Sequence, residues 1–150
     1  MGFNCGIENV VFPDLSWTYE HCFPKSFAVP LTESFEPDTE KLIEIVNELI
    51  EQNNNDKTKI AVAINNPHNA TGMQFNQEII KELLKKLLQN NIYVIDDLSY
   101  QNVAPQKEFC KIKTLRLLAD ELYKEGYITE ENSNKLITIH SLSKTDSFAG

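Results

Sequence analysis

Between residues 60 and 100 the chain alternates short apolar runs with one amphipathic stretch, and no other feature restricts the fold as much. Ile60-Ala61-Val62-Ala63-Ile64 is rich in branched residues, too short for a helix and closed by Asn65-Asn66-Pro67, so it predicts a buried strand. After Asn76, a candidate N-cap, apolar residues recur at Ile80, Leu83, Leu84, Leu87 and Leu88, which is one face of a helix whose other face carries lysines and glutamates. Asn90 and Asn91 close that helix, and Tyr93-Val94-Ile95 is a second strand running directly into Asp96-Asp97-Leu98-Ser99-Tyr100. Strand, helix and strand at this spacing predict a right-handed crossover between parallel strands. The polar elbow Asn66-Pro67-His68-Asn69-Ala70-Thr71-Gly72 and the acidic pair then fall at the C-terminal ends of two strands. Open α/β sheets hold their ligands at that edge.

The flanking sequence continues the pattern. Gly6-Ile7-Glu8-Asn9-Val10-Val11-Phe12 predicts a strand leading to Pro13, followed by a loop through Asp14-Leu15-Ser16-Trp17-Thr18-Tyr19, and residues 27–31 predict another strand. Pro37 marks a helix start, with Leu42, Ile45, Val46 and Leu49 as its apolar face through to about Glu51. The asparagine-rich connector 52–56 reads as a loop rather than a domain boundary. Leu115, Leu118, Leu122 and Tyr123 fit a helix ending near Gly126, and Leu136-Ile137-Thr138-Ile139 fits a strand that ends in His140-Ser141-Leu142-Ser143-Lys144. The fold class expected is α/β, a three-layer, mostly parallel sheet with flanking helices in a single domain.

Charge and cysteine usage remove several function classes. A net charge of −8 with lysines scattered among the acids leaves no basic stripe for nucleic acid. Cys5, Cys22 and Cys110 have no CxxC spacing, and His21, His68 and His140 have no metal-ligand spacing, so neither a disulfide framework nor a metal site is expected. The histidines are expected to be structural or surface residues. No apolar run approaches membrane-spanning length, and the first eleven residues lack the basic start and apolar core of a signal peptide. A soluble, cytoplasmic protein is the expectation.

Three polar clusters at three strand ends then require a common purpose. Asn69 offers an amide, Asp97 a carboxylate, Tyr100 a phenol, Ser141 and Ser143 hydroxyls, and Lys144 an amine. Around a flat aromatic cofactor these groups divide the work. A carboxylate facing a pyridine nitrogen keeps it protonated and makes the ring an electron sink; an amine condenses with an aldehyde and later carries a proton; hydroxyls at a strand-to-helix junction hold a phosphate. Taken singly, each residue has a plainer role. An Asn-Pro turn is ordinarily a turn, Tyr100 and Trp17 fill space as well as any aromatic, and most lysines are solvated charges. Asp97 is as good a helix cap as a chemical group, with Asp96 as the alternative solvated surface acid.

In combination, these residues resemble the class I and II pyridoxal-phosphate aminotransferases of fold type I. Asn66-Pro67-His68-Asn69-Ala70-Thr71-Gly72 is similar to the family's NPxNPTG segment with Ala70 in place of the second proline. Asp97-Leu98-Ser99-Tyr100 is similar to its DxAY segment and Ser141-Leu142-Ser143-Lys144 to its SxSK segment, in the family's order. The resemblance implies pyridoxal 5'-phosphate as cofactor, with Lys144 forming the internal Schiff base and Asp97 pairing with the pyridinium nitrogen. It implies Asn69 and Tyr100 on the cofactor's 3-hydroxyl oxygen, Ser141 on its phosphate with Ser143 as a neighbour, and Trp17 stacked on the ring. Amino-group transfer between an amino acid and a 2-oxo acid, in a homodimeric complete protein, is the activity it implies. Lyases, decarboxylases and synthases of the same fold share the clamp, and a truncated, noncatalytic α/β domain is the competing reading. The family's glycine-rich phosphate loop, the arginine after the lysine segment and the small domain have no counterpart in these residues. The expectation is therefore a fragment, residues 1–150 forming the middle of the large cofactor-binding domain.

Overall fold

The structure, a computed structural model, describes residues 6–16, 19–99 and 113–140. Five strands, β1 (Asn9–Pro13), β2 (Lys25–Val29), β3 (Ile60–Asn65), β4 (Tyr93–Asp97) and β5 (Leu136–Ile139), form one parallel sheet in the order β2-β1-β3-β4-β5. Helices α1 (Thr39–Gln52), α2 (Gln77–Gln89), α3 (Leu115–Lys124) and the single turn α4 (Glu130–Ser133) lie between the strands, with short 3₁₀ turns at Tyr19–His21 and Lys57–Lys59. The expected parallel sheet with flanking helices is borne out.

Helix boundaries follow from caps. Asp38, Asn76 and Thr114 each accept a backbone N–H of the first turn of α1, α2 and α3 respectively, satisfying donors that the helix itself cannot. Pro37 is therefore not the first helical residue. The helix begins at Thr39 because Asp38 takes the capping position, and Pro37 pairs instead with Leu31 in an isolated antiparallel bridge. Gly126, at φ 77°, gives α3 the left-handed residue that lets the Tyr127 N–H reach back to the Leu122 carbonyl. β2 begins at Lys25 rather than Phe27. Its limits are set by pairing with β1, from Asn9 opposite Lys25 to Pro13 opposite Val29, and not by its own apolar content.

The pleat sorts side chains onto two faces. Val11, Ile60, Val62, Ile64, Val94 and Leu136 point to one face, where Leu42 and Val46 of α1, Leu83, Leu84 and Leu87 of α2 and Leu118 and Leu122 of α3 bury them. Val10, Phe12, Ala61, Ala63 and Ile95 point to the other, where Tyr19 and Phe23 cover them. Connection direction explains this division. From β3 onward the chain moves one way across the sheet through α2 and α3 on the first face; from β1 to β2 it moves the opposite way, with Tyr19 and Phe23 of the connection on the second face. Reversing both direction and face keeps the hand of the crossover constant. The reversal lies between β1 and β3, which is the switch point where such sheets leave a crevice.

Candidate functional site

Around that crevice three loops meet, at the C-terminal ends of β1, β3 and β4. Asn65, the last residue of β3, stands in register with Asp97, the last of β4. Period-two alternation aims both at the face covered by Tyr19, away from the helices. Asn65 is buried and spends its amide on two loops. Its Nδ2 donates to the Asp97 carbonyl at 2.9 Å, and its Oδ1 accepts the Asn69 backbone N–H at 2.8 Å. Asn69 is thereby held, half-buried, in the middle of the elbow, whose Asn66-Pro67 peptide is cis.

Asp97 is 8 % exposed and accepts three hydrogen bonds from described residues: the Tyr19 hydroxyl on Oδ2 at 2.7 Å, and the Ser99 N–H and hydroxyl on Oδ1. Burial and the facing Asp97 carboxylate push the Tyr19 phenol far above its ordinary ionisation range, so its proton stays on and it acts as a donor. Tyr19 in turn meets the edge of the Phe12 ring, centroids 5.1 Å apart.

Asp96, in contrast, points to the helical face. It is 1 % exposed and its Oδ2 accepts the Leu115 N–H at 3.2 Å in the first turn of α3. Burial raises its pKa to about 7, against the lowering effect of the Leu115 and Arg116 backbone donors. The alternative of a solvated Asp96 is thus overturned, and the helix-terminus contact belongs to Asp96 rather than Asp97. Adjacent acids on one strand face opposite ways, so only Asp97 can reach the rim with Asn65.

The elbow is pinned to the loop after β1. Ser16 Oγ lies 3.0 Å from His68 Nε2, and Thr71 Oγ1 lies 3.0 Å from Nδ1. Burial lowers the His68 pKa, favouring the neutral ring. A neutral imidazole has one donor and one acceptor, so one hydroxyl donates and the other accepts in either tautomer. His68 is the structural histidine of the sequence reading, but it is also the bolt between two loops of the crevice.

Of the residues singled out from sequence, Asn69 and Asp97 therefore meet through Asn65. Trp17, Tyr100, Ser141, Ser143 and Lys144 lie outside the described residues. Sequence reasoning missed Tyr19, Asn65, Ser16 and Ser99 as members of this rim. Ser99 could have been found, since a hydroxyl two residues after an aspartate commonly closes such a turn. Tyr19 is 78 positions from Asp97 and carries no local signal.

Residues 9–150 match the sequence profile of the family described as Aminotransferase class I and II. The chain belongs to this family. Family members use pyridoxal phosphate. An aspartate aminotransferase from Bacillus sp. (strain YM-2) is 29% identical over 144 residues, covering 95% of this chain and 33% of the relative. An aspartate aminotransferase from Thermotoga maritima is 30% identical over 94 residues, 63% of this chain and 21% of the relative. Among solved structures, an aromatic aminotransferase from Pyrococcus horikoshii superposes with a TM-score of 0.63 at 19% identity, over 99% of this chain and 36% of that one. The chain thus spans about a third of the Bacillus relative's length, and the structural likeness carries the fold. The rim also fits the family's cofactor chemically. A carboxylate offers about four lone-pair sites, more than the three donors that described residues bring to Asp97, and a carboxylate is the group type that suits a protonated ring nitrogen.

Proposed function

We propose that these 150 residues form the central part of the cofactor-binding domain of an aminotransferase that moves an amino group between an α-amino acid and a 2-oxo acid. The observation that carries the reading is the Asp97 carboxylate, buried at the C-terminal end of β4 beside the switch point and tied through Asn65 to the elbow bearing Asn69. Pyridoxal phosphate, when bound, supplies a sink for the electron pair released at the substrate α-carbon.

The chain's own groups have the remaining roles. Asp97 holds the proton on the ring nitrogen, and Asn69 and Tyr100 hold the 3-hydroxyl oxygen. Ser141 binds the phosphate with Ser143 beside it, and Trp17 covers the ring face. Lys144 attaches the cofactor and then moves the α-proton as the general acid and base. Family membership over residues 9–150 and the geometry of Asp97 and Asn69 support these assignments.

Incubating the purified chain with pyridoxal phosphate, reducing with borohydride and mapping the labelled peptide tests the proposal. Label on Lys144 is expected. Absence of uptake, or label spread over other lysines, overturns it.

A further inference from the structure

The geometry points to Tyr19 as the positioning residue of this site, the group that fixes the plane of the Asp97 carboxylate so that an oxygen lone pair faces the cofactor's ring nitrogen. This inference rests on the proposed reading of Asp97 as the nitrogen's partner. An aspartate side chain has a soft, roughly two-fold χ2, so a carboxylate held through one oxygen alone still swings about that contact. Here both oxygens are held. Ser99 engages Oδ1 from its own strand end, and Tyr19 engages Oδ2 at 2.7 Å from a different loop.

Tyr19 is itself immobilised. Its residue is 5 % exposed, its ring meets Phe12 edge-on at an interplanar angle of 60°, and it opens the 3₁₀ turn Tyr19–His21. A rigid aromatic on two torsions carries a hydroxyl to a fixed point at little entropic cost. Positioning matters because a hydrogen bond to a reacting ring tolerates only a few tenths of an ångström of error. Tyr19 also lies two positions after Trp17, the residue proposed to cover the ring, so one short segment serves the ring's face and, through Asp97, its nitrogen.

The test compares dissociation constants, read by absorbance, for pyridoxal phosphate and for its 1-deaza analogue, in which carbon replaces the ring nitrogen. Tyr19→Phe keeps the ring and removes only the hydroxyl. It is expected to weaken pyridoxal phosphate binding on the order of tenfold while leaving the deaza analogue within about twofold of wild type. In an Asp97→Asn background, Tyr19→Phe is expected to add no further loss for pyridoxal phosphate. Equal weakening for both compounds, a tenfold loss that persists in the Asp97→Asn background, or no loss at all overturns the positioning role. If the wild-type chain binds neither compound, the cofactor reading falls and this role falls with it. Should Tyr19→Phe lose the wild-type far-UV spectrum, 3-fluorotyrosine at position 19 replaces it, keeping the hydroxyl as a stronger donor. The ratio of the two dissociation constants must then move by about twofold or more, and an unchanged ratio overturns the inference.

Discussion

Replacing Asn65 with alanine should detach two loops at once, and the size of the effect follows from what is left behind. Asn65 is 1 % exposed, and its two hydrogen bonds, 2.9 Å to the Asp97 carbonyl and 2.8 Å from the Asn69 N–H, have no replacement from alanine. The Asp97 carbonyl lies in a buried residue, so losing its partner costs about 1–3 kcal/mol of desolvation. Asn69 is half-buried and water reaches it more easily, so its N–H adds about 0.5–1 kcal/mol. The sum, about 1.5–4 kcal/mol, is a large share of the ~5–15 kcal/mol typical of a domain. With a urea slope of about 1–3 kcal/mol/M, the unfolding midpoint should fall by on the order of 1–2 M. Amide hydrogen exchange supplies the local readout, with Asn69 losing protection in Asn65→Ala more than residues of α2 do. A midpoint within about 0.3 M of wild type, with Asn69 protection unchanged, would refute the idea that Asn65 joins the elbow to the end of β4.

Other outcomes follow from individual groups. Asp96 has a folded pKa of about 7 against an ordinary 3.8, so the folded state keeps a proton that the unfolded state releases; its stabilising effect is full below about pH 4 and lost by about pH 7. Urea titrations should accordingly show Asp96→Asn gaining on wild type as pH rises through that window and levelling off above it. His68 has the opposite dependence, because burial lowers its pKa below 6.5: its contribution is present above pH 6.5 and lost as pH falls through its depressed folded value, and NMR titration of the ring should find its midpoint below 6.5. Asn76→Ala removes the acceptor for the Glu78 and Ile79 N–H groups and should cost about 1 kcal/mol in thermal or urea unfolding. Leu84→Ala, at a site 2 % exposed between α2 and the sheet, should cost about 2–5 kcal/mol by the same measurement.

How much of this was legible in the sequence depended on whether the signal was local. Strand β3, helix α2 and strand β4 carry their own periods, Ile60 to Ile64 by branched apolar content and Ile80 to Leu88 by helical spacing, and each appears where its pattern predicts it. The limits of β2 were hidden because a strand ends where its neighbour's hydrogen bonds end, and Lys25 is polar. Asp97 could be picked out by resemblance, but its orientation needed the pleat, which sends Asp96 to the helices and Asp97 to the rim. Asn65 reads locally as part of a turn, although its side chain ties that turn to a strand 32 positions away. Tyr19 was invisible for a further reason: its face is decided by the reversal of winding between β1 and β3, a property of the whole sheet.

The sheet order also bears on how the polypeptide emerges from a ribosome. Of these five strands β1 is made before the others, yet it lies between β2 and β3. A nascent chain can join β1 to β2 early, but the other margin of β1 keeps bare N–H and C=O groups until residues 60–65 have left the exit tunnel. A translation product stalled between β2 and β3 thus carries that bare margin of β1 as an adhesive edge, and β4 and β5 then extend the sheet outward from β3.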